Sequence, residues 1–173
     1  ADPSTGKVKA APAIDIRDED EAVLARCAAV IDAGIMTLLV ECGRISLPST
    51  NELTAKILQS LARPSKSRGT LAQQGAVKLL LGLAAPKQSS SGPVTNETTR
   101  IASHALARIL ISVDPSHVFP SSGFPQITSA VRPLLSLLSS PETASFSADQ
   151  PRDLLPVFEG LLALTNLASY PHD

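Results

Sequence analysis

The chain has no tryptophan, one tyrosine and four phenylalanines, so aromatics are only 3% of its 173 residues. Hydrophobic residues still reach 43%, which leaves Leu, Ala, Ile and Val to build the core. Those side chains suit helix-on-helix packing better than a β-sandwich, whose strands favour aromatic and β-branched residues. The expected class is all-α.

A surplus of one charge is missing too. Fifteen basic against 16 acidic residues give a formal net charge of −1, without the clustered basic face that nucleic-acid binding requires. The one dense charge run, DIRDEDE from Asp15 to Glu21, reads as the solvated first turn of a helix, where carboxylates meet the positive dipole end. An acidic docking patch is the competing reading. Only two cysteines occur. Cys27 and Cys42 stand in apolar helical text and read as small buried residues rather than as a disulfide or a reactive thiol.

His104, His117 and His172 have no Cys or carboxylate at metal-ligand spacing, so neither a metal nor a cofactor is expected. There is no Gly-x-x-x-x-Gly-Lys-Ser/Thr loop and no Gly-x-Ser-x-Gly elbow, and no histidine has an acidic orienter nearby in sequence. Catalysis is not expected. No apolar run approaches the ~20 residues of a membrane span. The opening ADPSTGKVKAAP lacks the apolar stretch of a signal peptide. A cytoplasmic, soluble protein is the expectation, and the sequon Asn96-Glu97-Thr98 is then accidental. Residues 1–12 read as a flexible tail or cloning remnant, and 13–173 as one array.

What is there is a succession of apolar helical segments separated by Pro, Ser and Gly clusters. Helices are expected over Asp20–Ala33, Ile35–Cys42, Thr50–Ala62, through Ala84 after Gly75, Glu97–Ser112, Ile127–Leu138 and Asp153–Ser169. Pro48 closes the first unit, and Ser49 with Glu52 forms a capping box for the helix that follows. Pro156 is tolerated because it lies in a first helical turn. Ser/Pro-rich insertions fall near 86–96 and 139–151.

Internal similarity turns these helices into an architecture. VIDAGIMTLLVEC around Gly34 resembles AQQGAVKLLLGL around Gly75, 41 residues later, and SSGFPQITSAVRPLLSLL around Gly123 is a looser copy. Each is followed by a helix of one pattern: KILQSLA, ALARIL and LLALTNLA. These align on Leu58, Leu106 and Leu164, and the spacing beyond about 42 falls where the two insertions occur. A Gly break, an apolar LL-rich helix and then an A-L-x-N-L helix at this period make the armadillo pattern. The expected fold is an armadillo-repeat superhelix, an α-solenoid of about three to four repeats, with a simple helical bundle as the alternative. Exposed apolar surface is expected at its C-terminal end, since a terminal repeat normally needs a polar cap.

In such a superhelix the third helix of each repeat lines the concave groove. In import-receptor members, a Trp and an Asn four residues on project from it to hold a peptide. Here the Trp-type positions hold Lys56, His104 and Leu162, and the Asn-type positions hold Ser60, Arg108 and Asn166. These six are the candidate protein-binding row, with ordinary surface exposure as the competing reading for each. With no Trp and one Asn, the groove is not the usual reader of nuclear-localisation peptides. For Asn166, local backbone bonding is a further alternative.

Three phrases carry a sharper match: RGTLAQQGAVKLLLGLA from Arg68, ASHALARILISVDPSHVFP from Ala102 with VRPLLSLL from Val131, and FEGLLALTNLAS from Phe158. In order and spacing they resemble the UCS family of myosin chaperones, over about Asn51 to Ser169. The resemblance implies an armadillo protein that binds the myosin motor domain and helps it fold, often alongside the Hsp90 chaperone. It implies a segment where the family's central repeats run into its myosin-binding repeats, so that this chain is a piece of a longer one. Asp114-Pro115 in place of Asn-Pro, and the long Ser/Pro insertions, point to a fungal-type member. A generic armadillo scaffold or transport adaptor is the alternative function.

Overall fold

The structure, a computed structural model, describes residues 16–45, 47–85, 88–89, 92–93, 97–120, 124–139 and 153–170, with side chains from Glu21 onward except in 88–89 and 92–93. Among the described residues there are eight α-helices: α1 Ile16–Asp32, α2 Ile35–Arg44, α3 Pro48–Leu61, α4 Ser65–Gln73, α5 Ala76–Ala84, α6 Glu97–Ser112, α7 Thr128–Leu138 and α8 Leu155–Ala168. A 3₁₀ turn covers Pro115–His117. Within the first Ser/Pro insertion, β1 Gln88–Ser89 pairs antiparallel with β2 Gly92–Pro93. The second insertion lies outside the described residues apart from Ser139, as do residues 1–12 and Gly123.

The helices group in threes. Gly34 separates α1 from α2 and Gly75 separates α4 from α5, at φ +83° and +88°. A side chain in that left-handed region would press its Cβ against the following carbonyl, so glycine is the residue that makes this corner at low energy. The bend between α1 and α2 is 69°. Units one and two are therefore α1–α2–α3 and α4–α5–α6. In the third, the turn at Pro115 precedes α7 and α8.

Stacking these units creates two layers. The second helices meet in the order α2–α5–α7, and the third helices meet in the order α3–α6–α8. Helix α6 is the hub, packed by α3, α4, α5, α7 and α8. Its residues Leu106, Ile109 and Leu110 are fully buried, together with Leu58 from α3, Leu71 from α4, Leu80 from α5 and Leu134 from α7. Each such side chain contributes about 1.5–3 kcal/mol when taken out of water. The aligned Leu58 and Leu106 are both at zero exposure, and Leu164 is partly buried against the same core. The all-α armadillo-type solenoid is what the repeat register implied.

Two local expectations are corrected. Pro48 does not close a unit; it opens α3, where its missing N–H is one of the unpaired donors of a first turn and its fixed φ suits the helix. The capping box does not form either. The cap residue is Leu47, without a side-chain bond, and the Glu52 carboxylate instead accepts from Lys56 Nζ at 2.6 Å. Starting the helix at Pro48 places Ser49 inside the first turn rather than before it. Pro156 does sit in the first turn of α8. Helix α7 also runs through Pro133.

Two glycines of the same segment separate backbone strain from helix propensity. A Cβ at Gly82, within α5, would meet no atom within 4 Å. Gly82→Ala is therefore expected to stabilise the fold by roughly 0.5–1 kcal/mol. Gly75→Ala should destabilise it by about 1–2 kcal/mol, because Ala is strained at positive φ. Urea unfolding of the two variants checks the opposite signs.

Candidate functional site

The third-helix layer holds all six residues of the candidate row, but the fold divides them. Lys56 and Ser60 on α3 and Leu162 on α8 are exposed. Lys56 is paired along its own helix with Glu52, and Ser60 donates its hydroxyl to the Lys56 carbonyl at 2.9 Å. His104, Arg108 and Asn166 turn inward and bond between helices. The structure does not bring the six together as one open surface.

His104 is only 4% exposed. Its Nδ1 accepts from Gln59 Nε2 of α3 at 2.9 Å, and its Nε2 donates to Glu159 Oε2 of α8. Arg108, one turn further along α6, donates Nε–H to the same Glu159 oxygen at 2.9 Å and Nη1–H to the Gln59 carbonyl at 3.2 Å. Four residues on three stacked helices thus close a ring across both seams of the layer. Burial and the neighbouring Arg108 cation hold the His104 pKa below its ordinary value, against the pull of Glu159. The neutral ring with its proton on Nε2 uses its single donor and single acceptor fully.

Two further cross-helix devices hold the ends of these helices. Asn166 donates Nδ2–H to the carbonyls of Leu110 at 2.6 Å and Val113 at 3.1 Å, closing the C-terminal end of α6. These partners are local to the preceding unit, not to its own helix. At the end of α3, Arg68 donates to the carbonyls of Ala62 at 2.8 Å and Arg63 at 3.1 Å, and to Ser112 Oγ at 2.9 Å. A cation at a helix C-terminus also meets the negative end of the dipole. Asp114 accepts from the Ser116 amide and hydroxyl. Those bonds hold its carboxyl below the usual range.

Glu159 and Gln59 were missed in the sequence because the acidic partner of His104 lies 55 residues away. A signal was present nonetheless. Aligned on Leu58, Leu106 and Leu164, Glu159 falls in register with Leu53 and Ile101, so it is a charge at an otherwise apolar position.

Beside this ring, α8 and the residue before it expose Leu154, Leu155, Phe158, Leu161 and Leu162, each 40–58% accessible. Leu161 and Leu162 are in register with Ser103 and His104, which α6 buries. Leu38, Leu47 and Leu53, far from the C-terminal end, are as exposed. Among the described residues, no three His, Cys, Asp or Glu side chains cluster as metal ligands, and no single helix is long and apolar enough to cross a membrane.

Comparison with known proteins gives the same architecture a lineage. No protein-family model matches the chain. It is 32% identical over 157 residues to mouse protein unc-45 homolog B, covering 88% of this chain and 15% of that protein. It is 34% identical over 166 residues to Ring assembly protein 3 of Schizosaccharomyces pombe, covering 95% and 20%. Among solved structures, UNC-45 from Drosophila melanogaster superposes with a TM-score of 0.68 at 31% identity, over 92% of this chain and 18% of that one. The crystal structure of She4p gives 0.66 at 26% identity, over 94% and 21%. The chain belongs to the UCS family.

It spans only about a fifth or less of the length of the UCS proteins it matches. The UCS resemblance read from the three phrases is borne out. Arg68, His104, Arg108, Glu159 and Asn166 all stand within those phrases, so much of the quoted text is joint-forming text.

Removing the ring's carboxylate should be expensive. Arg108 and Glu159 are part-buried, 12% and 13% exposed at the side chain, and losing one partner of a fully buried pair typically costs about 3–5 kcal/mol, so the low end of that range applies. Glu159→Ala is therefore expected to lower stability by about 3 kcal/mol, and Asn166→Ala by about 1–3 kcal/mol through two unpaired carbonyls. Chemical denaturation of both variants checks the order: a loss at Glu159 no greater than that of an exposed Glu, such as Glu41→Ala, would contradict it.

Proposed function

We propose that the chain is a protein-binding segment of a myosin-directed chaperone, one that assists folding and stability of the myosin motor domain in the cytoplasm, alongside Hsp90. It works by holding its partner, not by catalysis. UCS membership supports this reading, and one observation carries it: the third helices α3, α6 and α8 stack side by side into one continuous layer, the wall that a helical solenoid offers to a partner. The solvent-facing members of the row, Lys56 and Ser60, lie on α3 in the same layer and add polar contacts at its edge.

The test is light scattering from a myosin motor domain held at an aggregating temperature. The folded chain is expected to suppress the scattering at near-stoichiometric ratio, and Lys56→Glu with Ser60→Glu to remove most of that suppression while the helical circular dichroism stays unchanged. No suppression by the folded chain, or equal suppression by the double variant, contradicts the reading.

A further inference from the structure

We propose that the ring of Gln59, His104, Glu159 and Arg108 is a proton-sensitive joint, in which protonation of His104 loosens the seams between α6 and its neighbours α3 and α8. The inference concerns the scaffold's own geometry and holds whichever partner it binds.

The geometry carries it. With His104 neutral, its Nε2–H bonds to Glu159 and its Nδ1 lone pair takes an N–H from Gln59. Adding a proton at Nδ1 sets two donors against each other across 2.9 Å. The Gln59 amide must then rotate to present its oxygen, while the same residue's backbone carbonyl still holds Arg108. The charge balance changes as well. One carboxylate, Glu159, faces one guanidinium, Arg108, in a site almost closed to water. A second cation is added there with no second carboxylate in hydrogen-bond contact, and in low dielectric that is costly.

The surrounding charges give the direction. From the α8 side, Glu159 and, at longer range, Asp153 favour the imidazolium; from α6, Arg108 opposes it; α3 brings only the uncharged Gln59. From α4, Arg68 acts on Glu159 rather than on the imidazole. No charged group of α5 or α7 acts on His104 among the described residues. Burial and Arg108 outweigh the acids, so the folded chain holds this proton less readily than the unfolded one, whose ordinary value is 6.5. The joint's contribution is complete above that value and is lost as pH falls through the folded pKa. The loosening is local because the rest of α6's packing, at Leu106, Ile109 and Leu110, is apolar and indifferent to pH.

The experiment is amide hydrogen exchange, corrected for intrinsic rates, on the wild-type chain and on His104→Gln between pH 7.5 and 5. Gln keeps a donor and an acceptor but takes no proton. The expected result is a loss of protection of about tenfold or more on the facing sides of α3, α6 and α8 in the wild type, and a flat profile in the variant. An NMR titration of the wild-type imidazole accompanies it, and decides the matter if the variant does not fold. A midpoint below 6.5 that coincides with the protection loss supports the joint. A midpoint at or above 6.5, or the same protection loss in both chains, overturns it.

Discussion

One part-buried carboxylate governs the register of this solenoid. Glu159 of α8 accepts from His104 and Arg108 of α6, and those two residues are tied in turn to Gln59 of α3. Apolar packing between helices is tolerant of sliding and rotation, because Leu against Leu has little direction. A hydrogen bond has both a distance and an angle. The Leu-rich core therefore supplies the driving force for stacking, and the ring selects one arrangement out of those the core allows. Buried ion pairs are weak net stabilisers but are expensive to break, which is the behaviour needed of a part that fixes register.

The end-of-helix bonds extend this principle. Arg68 closes α3 and Asn166 closes α6, each reaching from one unit to the next. Carbonyls that have no partner inside their own helix thus become attachment points for the following unit. Stability in repeat proteins is a sum of unit and interface terms, and here the interface terms are directional. The consequence is a layer whose shape is set by its own internal bonds.

Much of the fold was legible in the sequence because its signals are local or periodic. Gly34 and Gly75 mark corners that only a residue without Cβ makes easily. The aligned Leu58, Leu106 and Leu164 recur because each occupies the same place in a stacked unit. The scarcity of aromatics correctly pointed to helices. What was not legible depends on tertiary proximity. Nothing near His104 in sequence announces Glu159, and the six-residue row could be numbered from the register without revealing that His104, Arg108 and Asn166 point inward. Ser49 and Glu52 satisfy a capping pattern, yet Pro48 started the helix earlier and Lys56 took the carboxylate. Local patterns state what a residue is able to do, and packing decides between the options.

The central claim is that Glu159 acts with its α6 partners as a unit rather than as an isolated charge. A double-mutant cycle on Arg108→Met and Glu159→Leu, read by chemical denaturation, tests it most directly. If the pair is coupled, each single variant strands a buried partner, and the double variant recovers at least about 1 kcal/mol of the summed loss. Strict additivity of the two losses would contradict the account.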